Sequence, residues 1–242
     1  MQLVNVQQIK IKRKMNYTFI NPEIEAQITE IKHKIRLSMN GIVSDQMMRN
    51  GIVYQKNFGV SIPRIKEIAS NYTPNHSLAL QLWNLQIRET MIMSTLLEPV
   101  GEFTIQSAGI LVSQINQIEI AEQACMNLFC KLPFASELSK EWVQSVTIWK
   151  QITGFLLAAR MYESLNHDVL HAIISRGFDV STTTDFHLYK AVALCLSRFC
   201  RKDKETAAYI LKELTALEPT SSTGRLYISN EVKQEIIFLN TL

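Results

Sequence analysis

The amino-acid sequence predicts an all-α protein, built as a solenoid of about six antiparallel helix pairs. Three observations support this class. Apolar residues recur at steps of three and four, as in helices. No segment between turns shows the alternating, β-branched pattern of a β-strand. Glycine and proline are scarce, at 8 and 6 of 242 residues. A dozen or so short helices joined by short breaks are typical of stacked helix pairs. A compact helical bundle is the structural alternative.

The helices can be placed along the chain from their apolar stripes and end signals. The first is predicted over 23–39, where Asn21-Pro22 supplies a cap and a first-turn proline, and Asn40-Gly41 supplies the stop. The segment 88–97 is almost wholly apolar after its first turn, so neighbours must cover it on several sides. The remaining helices are predicted over 44–54, 61–71, 77–85, 104–115, 119–128, 136–145, 148–162, 167–176, 186–201, 204–217 and 231–239.

The chain is interpreted as one solenoid domain over 21–242, preceded by an N-terminal arm over 1–20. No Pro/Gly/Ser-rich linker divides the sequence, which favours one continuous helical body. The arm contains IKIKRK, an alternation of apolar and basic residues typical of a loosely held segment. The final segment, 222–242, is interpreted as a cap over the last helices, since an open solenoid end exposes apolar surface.

Composition excludes several classes of protein. No apolar run reaches the roughly 18–20 residues of a membrane span, and the N-terminus lacks the order of a signal peptide, so we expect a cytoplasmic protein without a membrane partner. The net charge is only +3, so a surface that binds a polyanion would be local. The four cysteines form two i,i+5 pairs, a spacing that suits neither metal binding nor disulfides and predicts buried free thiols: Cys125, Cys130, Cys195 and Cys200.

Three stretches in consistent order resemble the DNA alkylation repair family, the AlkD-type DNA glycosylases built from HEAT-like repeats. They cover 58–97, 118–160 and 189–205, and the first contains FGVSIPRIKEIA and HSLALQLWNLQIRE. Residues of the first stretch that match the family pattern are Gly59, Val60, Pro63, Ile65, Ile68, Ala69, Leu78, Ala79, Leu82, Trp83 and Glu89. The resemblance implies a HEAT-like solenoid, although Ala79, Leu82 and Trp83 also suit a simple packing role.

The same resemblance locates the family's catalytic positions, and most are substituted in this chain. Members that excise alkylated bases carry Trp-x-x-x-Asp on one helix, a second Trp on a later helix and an Arg between them. The resemblance places the first pair at Ile118 and Glu122, the arginine at Gln151 or Ile152, and the second tryptophan at Leu194. Only Glu122 keeps a carboxyl group, so we expect base excision to be weak or absent. Whether the chain is an enzyme stays open.

Two further arrangements could carry chemistry. Glu119 and Glu122 are three apart, and such a pair on an exposed helix face is usually solvated. His167 and His171 have the i,i+4 spacing of a chelating pair, but no third ligand is evident. No phosphate-binding glycine loop or nucleophile motif occurs. We therefore predict no metal and no cofactor.

The sequence leaves three functions open. The first is weak, sequence-independent binding of duplex DNA, in which basic side chains contact phosphates. The second is an active glycosylase that uses Glu122, and a tryptophan such as Trp142 or Trp149 beside that residue would favour it. The third is a scaffold for protein partners, a common use of α-solenoids. The candidate phosphate contacts are Lys131, Lys150, Lys190, Arg198, Arg201, Lys202 and Lys204.

Overall fold

The structure, a computed structural model, describes residues 21–218 and 221–240, so the predicted arm over 1–20 lies outside the described residues. Within them the fold is all-α, as predicted, and β pairing is limited to one isolated parallel bridge between Lys56 and Ile87. The helices are α1 (Pro22–Leu37), α2 (Gly41–Arg49), α3 (Ile62–Ala69), α4 (His76–Asn84), α5 (Arg88–Leu97), α6 (Ile105–Val112), α7 (Ile118–Asn127), α8 (Ala135–Val143), α9 (Ile148–Arg160), α10 (His167–Asp179), α11 (Phe186–Cys200), α12 (Lys204–Ala216) and α13 (Thr223–Asn240). Short 3₁₀ turns lie at Val100–Glu102 and Phe129–Lys131.

The helices stack in two rows. In the row that we call the inner row, α3, α5, α7, α9, α11 and α13 each pack on the next. The outer row covers it, with α4 on α5, α8 on α9, α10 on α11, and α12 on both α11 and α13. Each outer helix precedes its inner partner by a short connection, which makes the pair antiparallel. This arrangement confirms the predicted solenoid of helix pairs.

Asparagine and aspartate side chains set where many helices begin. At six helices such a residue accepts a hydrogen bond from a backbone N–H of the first turn, satisfying a donor that has no partner within the helix. At α4, for example, Asn75 Oδ1 accepts from the Leu78 N–H at 2.9 Å. The capping residues are Asn21, Asn40, Asn75, Asn166, Asp185 and Asp203.

The prediction that Asn40-Gly41 ends the first helix was wrong. α1 already ends at Leu37, and Asn40 instead caps α2 by accepting from the Val43 N–H at 3.2 Å. Gly59 makes this possible, because it has a φ of +69° and a Cβ there would lie 2.1 Å from the Asn40 carbonyl oxygen. α2 therefore starts three residues before the predicted 44–54 helix.

The inner row supplies much of the core. Nine of the ten residues of α5 are buried, which confirms that neighbours enclose this helix. Ala79, Leu82 and Trp83 of α4 pack in the core, as their packing interpretation requires. The thiols of Cys125, Cys195 and Cys200 are buried and free, whereas Cys130 is half-buried.

The C-terminal helix is longer than predicted. α13 begins at Thr223, whereas the sequence predicted a helix over 231–239. Gly224, near the start of α13, packs closely against the backbone at Thr183. A Cβ at this position would lie 2.4 Å from the Thr183 carbonyl oxygen, so only glycine allows this close approach. Ile228 and Val232 of α13 are fully buried, and the helix packs along α11.

Candidate nucleic-acid interface

Two adjoining grooves open on the surface of the inner row. The first, with a volume of about 470 Å³, is bounded by α7, α9 and α11. Its polar lining includes Glu122 from α7, Arg160 at the end of α9, Tyr162 from the loop that follows α9, and Arg198 from α11. The first groove thus combines one carboxylate with two guanidinium groups.

The second groove, of about 380 Å³, lies between α11 and α13. Lys190 and Arg201 line its α11 side, while Glu231 and Glu235 line its α13 side. Leu194 and Arg198 line both grooves, so the two form one continuous surface across α11. Charge in the second groove is divided, with basic residues on the α11 side and acidic ones on α13.

One face of α11 carries a regular row of side chains. Phe186, Lys190, Leu194 and Arg198 follow one another at steps of four, which places them on the same side of the helix. We call these four residues the α11 stripe. Phe186 and Leu194 are exposed, and the Lys190 ammonium lies 4.3 Å from the centre of the Phe186 ring. Apolar and basic groups therefore alternate along the surface shared by the grooves.

Glu122 faces the first groove and has an altered acidity. Partial burial raises the pKa of its carboxyl group, and the nearby charge of Glu119 raises it further. The Arg160 guanidinium acts in the opposite direction and lowers the pKa, without cancelling the rise. A proton is thus held more tightly here than on an ordinary glutamate.

Glu119 is not the solvated partner of Glu122 that the sequence suggested. Arg88 donates to both of its carboxylate oxygens, at 2.7 and 2.6 Å, and the Tyr54 hydroxyl donates at 2.7 Å. Arg88 also donates to the Val60 carbonyl oxygen and to Glu89, which is fully buried. Burial raises the pKa of Glu119, but the hydrogen bonds and charge of Arg88 outweigh this effect, and the pKa is lowered. Glu119 is therefore a structural anion.

Three of the substituted family positions, unlike Leu194, lie outside the lining of the first groove. Ile118 is half-buried and packs against the core. Gln151 and Ile152 are buried in α9, where the Gln151 amide donates to the Val143 carbonyl oxygen at 2.8 Å. The arginine that α9 brings to the groove is Arg160, its last residue, which sequence reasoning missed. The one feature of the sequence that pointed to Arg160 is that a basic residue ends an otherwise apolar helical turn.

The tryptophans named as possible groove residues lie elsewhere. Trp142 is fully buried, and its ring packs edge-on against Phe129 with centroids 4.9 Å apart. Trp149 is half-buried near the start of α9, with its ring centroid 5.4 Å from that of His187. Neither belongs to the lining of the two grooves. Glu122 therefore has no indole beside it.

The basic residues predicted to contact phosphate fall into two groups. Lys190, Arg198 and Arg201 line the grooves, although Arg201 forms an ion pair with Glu235. Lys202 instead uses its ammonium within the protein, donating to the carbonyl oxygens of residues 162, 163 and 165 at 3.2, 3.0 and 2.7 Å. It thereby fixes the loop that follows α9.

The remaining three basic candidates lie away from the groove linings. Lys150 forms an ion pair with Glu141 at 2.8 Å. Lys131 is exposed in the 3₁₀ turn after α7, and Lys204 is exposed at the first position of α12. Only part of the predicted basic set is thus gathered on one surface.

The histidine pair offers no metal centre on its own. The rings of His167 and His171 stack with centroids 6.0 Å apart, and His171 also contacts Tyr209. In residues 21–218 and 221–240, no three His, Cys, Asp or Glu side chains are grouped as they would be to hold a metal ion. Nor does any helix in this part of the chain have the length and apolarity to cross a membrane.

Comparisons with known proteins agree with this architecture. The family model described as "DNA alkylation repair enzyme" matches residues 31–223. A solved structure described as "a new family of proteins related to the HEAT-like repeat DNA glycosylases with affinity for branched DNA structures" superposes with a TM-score of 0.74 at 11% identity, covering 87% of this chain and 94% of that one. No curated protein matches the sequence significantly. The structural likeness confirms the HEAT-like fold.

Proposed function

We propose that this chain, which belongs to the DNA alkylation repair enzyme family, binds branched DNA through its phosphates without reading base sequence. Two cations of the α11 stripe carry this proposal, because Lys190 lines the second groove, Arg198 lines both grooves, and the two lie on one face of the helix. Basic side chains that contact only phosphates bind DNA regardless of its base sequence. The structural relative described by its affinity for branched DNA supports branched over linear DNA as the ligand.

The distribution of charge supports a short contact. Arg160 adds a third cation beside the stripe, whereas Glu231 and Glu235 of α13, the second of them paired with Arg201, form an acidic wall on the far side of the second groove. A straight duplex that continued over this wall would bring its phosphates against carboxylates, which is unfavourable. Arms that diverge at a branch point can leave the surface before they reach it.

Base excision is weak or absent under this proposal. The family's second tryptophan position is Leu194, and neither groove lining contains an indole. Excision creates positive charge on the sugar, which aromatic faces and a fixed carboxylate stabilise. Glu122 alone supplies only the second of these groups.

The salt dependence of binding tests the proposed function. Affinity for a labelled four-way junction and for a linear duplex of equal length can be measured by fluorescence anisotropy over a range of salt. With three cations engaged, the slope of log affinity against log salt should be roughly −2 to −3, and the junction should bind more tightly. Absence of binding to both DNAs at low salt would contradict the proposal.

A residual glycosylase is the second candidate, favoured by the joint presence of Glu122, Arg160 and Tyr162 in the first groove. Incubation with an alkylated duplex, followed by measurement of released base, tests it. A Glu122→Gln variant should then lose the activity. Equal release by the variant and the parent chain would rule out Glu122 as the group responsible.

Binding to neither the junction nor the linear duplex would leave the protein-scaffold hypothesis.

A further inference from the structure

The aromatic ring at the start of α11 is exposed at the surface. Phe186 is 51% exposed although it is a large apolar side chain in the first turn of a buried inner-row helix. Asp185 fixes the start of the helix by accepting from the Leu188 N–H at 2.8 Å. The ring therefore stands at a defined point of the surface, and core packing does not account for its exposure.

Neighbouring rings hold Phe186 in place. His187 and Tyr189 meet it nearly at right angles, with centroids 5.5 and 5.6 Å away. His187 is in turn packed on Trp149 of α9, and Tyr189 lies 5.2 Å from Tyr227 of α13. Side chains from three inner-row helices thus support one exposed ring. A ring fixed in advance loses little conformational entropy when it binds a ligand.

The exposed ring continues the proposed DNA-binding surface. Phe186 is the first member of the α11 stripe, and Lys190, its neighbour in the stripe, lines the second groove. The Lys190 ammonium lies over one face of the Phe186 ring, 4.3 Å from its centre, which leaves the opposite face for a base, and it lies 5.8 Å from the centre of the Tyr227 ring. An aromatic face beside a cation that reaches phosphate is the combination found in sites for unpaired nucleotides.

We infer that Phe186 stacks on an unpaired base of branched DNA while Lys190 contacts the adjoining phosphate. In a continuous duplex both faces of each internal base are already covered by its neighbours, so the ring has no base to stack on. At a fork with single-stranded arms the bases beside the branch point are unpaired, and stacking on an aromatic ring tolerates any sequence. This inference rests on the proposed function and gives it a specific source of preference for branched DNA.

The test compares a forked DNA that has two unpaired arms with a fully paired duplex of the same length, using the complete chain. Phe186→Leu keeps an apolar side chain but removes the aromatic face, and Phe186→Trp keeps a face. Phe186→Leu should weaken fork binding by roughly five- to a hundredfold and leave duplex binding within about twofold. Phe186→Trp should bind the fork as the parent chain does.

Ile110→Ala is the control, because Ile110 is an exposed apolar residue on α6 that lines neither groove. It should change neither affinity. If Phe186→Leu binds both DNAs like the parent chain, or loses affinity for both equally, this inference is overturned while the proposed function stands. If the parent chain binds neither DNA, the proposed function fails and this inference fails with it.

Discussion

Glu122 places a negative charge in the groove that is proposed to receive phosphates. Its pKa is raised by partial burial and by the charge of Glu119, and lowered less by Arg160. A phosphate nearby would disfavour the carboxylate further, so the pKa should be higher still in the complex. The proposed function therefore predicts that DNA binding is coupled to uptake of a proton at this residue.

This coupling predicts that affinity increases as the pH falls through the pKa of Glu122 in the complex. Glu122→Gln should bind DNA more tightly than the parent chain at neutral pH, since it removes the repulsion. Its affinity should also change less on acidification. Anisotropy titrations from about pH 8 to about pH 5 measure both effects. Parallel pH profiles for the two proteins would show that Glu122 does not face the bound phosphates.

Among the charged residues, Arg88 is the one whose replacement should destabilise the fold most clearly. It is 4% exposed and neutralises both Glu89 and Glu119. Arg88→Met leaves those carboxylates without a cation, and we expect a loss of about 3–5 kcal/mol in the free energy of unfolding. Urea denaturation measures this loss.

The control is Arg64→Met, which removes an exposed ion pair with Glu67 and should cost about 0–1 kcal/mol. The pH dependence adds a second check. The pKa of Glu119 is lowered in the folded chain, so its stabilising effect is present above the unfolded pKa and is lost as pH falls through the folded pKa. The free energy of unfolding of Arg88→Met should therefore fall less on acidification than that of the parent chain. Equal stability of the two variants would contradict the role given to Arg88.

At the scale of the helices, close packing of α8 on α9 depends on one glycine. A Cβ at Gly154 would lie 2.6 Å from the Val143 backbone nitrogen and 2.9 Å from the Trp142 carbonyl carbon. Replacing glycine by alanine inside a helix normally stabilises it by up to about 1 kcal/mol. Here the contact is with backbone, so Gly154→Ala should destabilise the protein by about 1–3 kcal/mol.

Gly109 provides the comparison within the same protein. It lies inside α6, and a Cβ there would meet nothing within 4 Å. Gly109→Ala should therefore leave the melting temperature unchanged or raise it, whereas Gly154→Ala should lower it, as followed by circular dichroism. A rise for both variants would mean that α8 and α9 are packed less closely than described.

Most helices could be predicted from sequence because their signals are local. The burial of α5 follows from its composition, and its position between α3, α4 and α7 matches that expectation. Asn40-Gly41 could not be assigned in the same way, because asparagine and glycine mark both the end and the start of helices. A distant contact with Gly59 decides between them.

At the scale of the whole molecule, the stacking of helices decides which residues share a groove. Glu122, Leu194 and Arg198 come from α7 and α11. The resemblance to the family had already singled out the first two, and Arg198 was one of the basic candidates. Arg160 and Tyr162 were missed, because their place in the groove depends on how α9 is positioned between those helices. Phe186 could have been found from its spacing of four to Lys190.

Stacking also explains why the list of basic candidates was too long. Lys150, Lys202 and Lys204 are close in sequence to groove residues, yet none lines a groove. Lys150 pairs with Glu141, and Lys202 binds three carbonyl oxygens. Charge alone in a sequence does not distinguish a ligand-binding cation from one that holds a loop.

The most direct test of DNA binding by the α11 stripe is a pair of double charge reversals. Lys190→Glu/Arg198→Glu changes the stripe, and Lys140→Glu/Lys212→Glu makes the same change in net charge on outer-row helices α8 and α12. Anisotropy with a labelled four-way junction should show a loss of roughly tenfold or more for the first variant and at most about threefold for the second. Equal losses, or no loss in either, would show that the stripe is not where DNA binds.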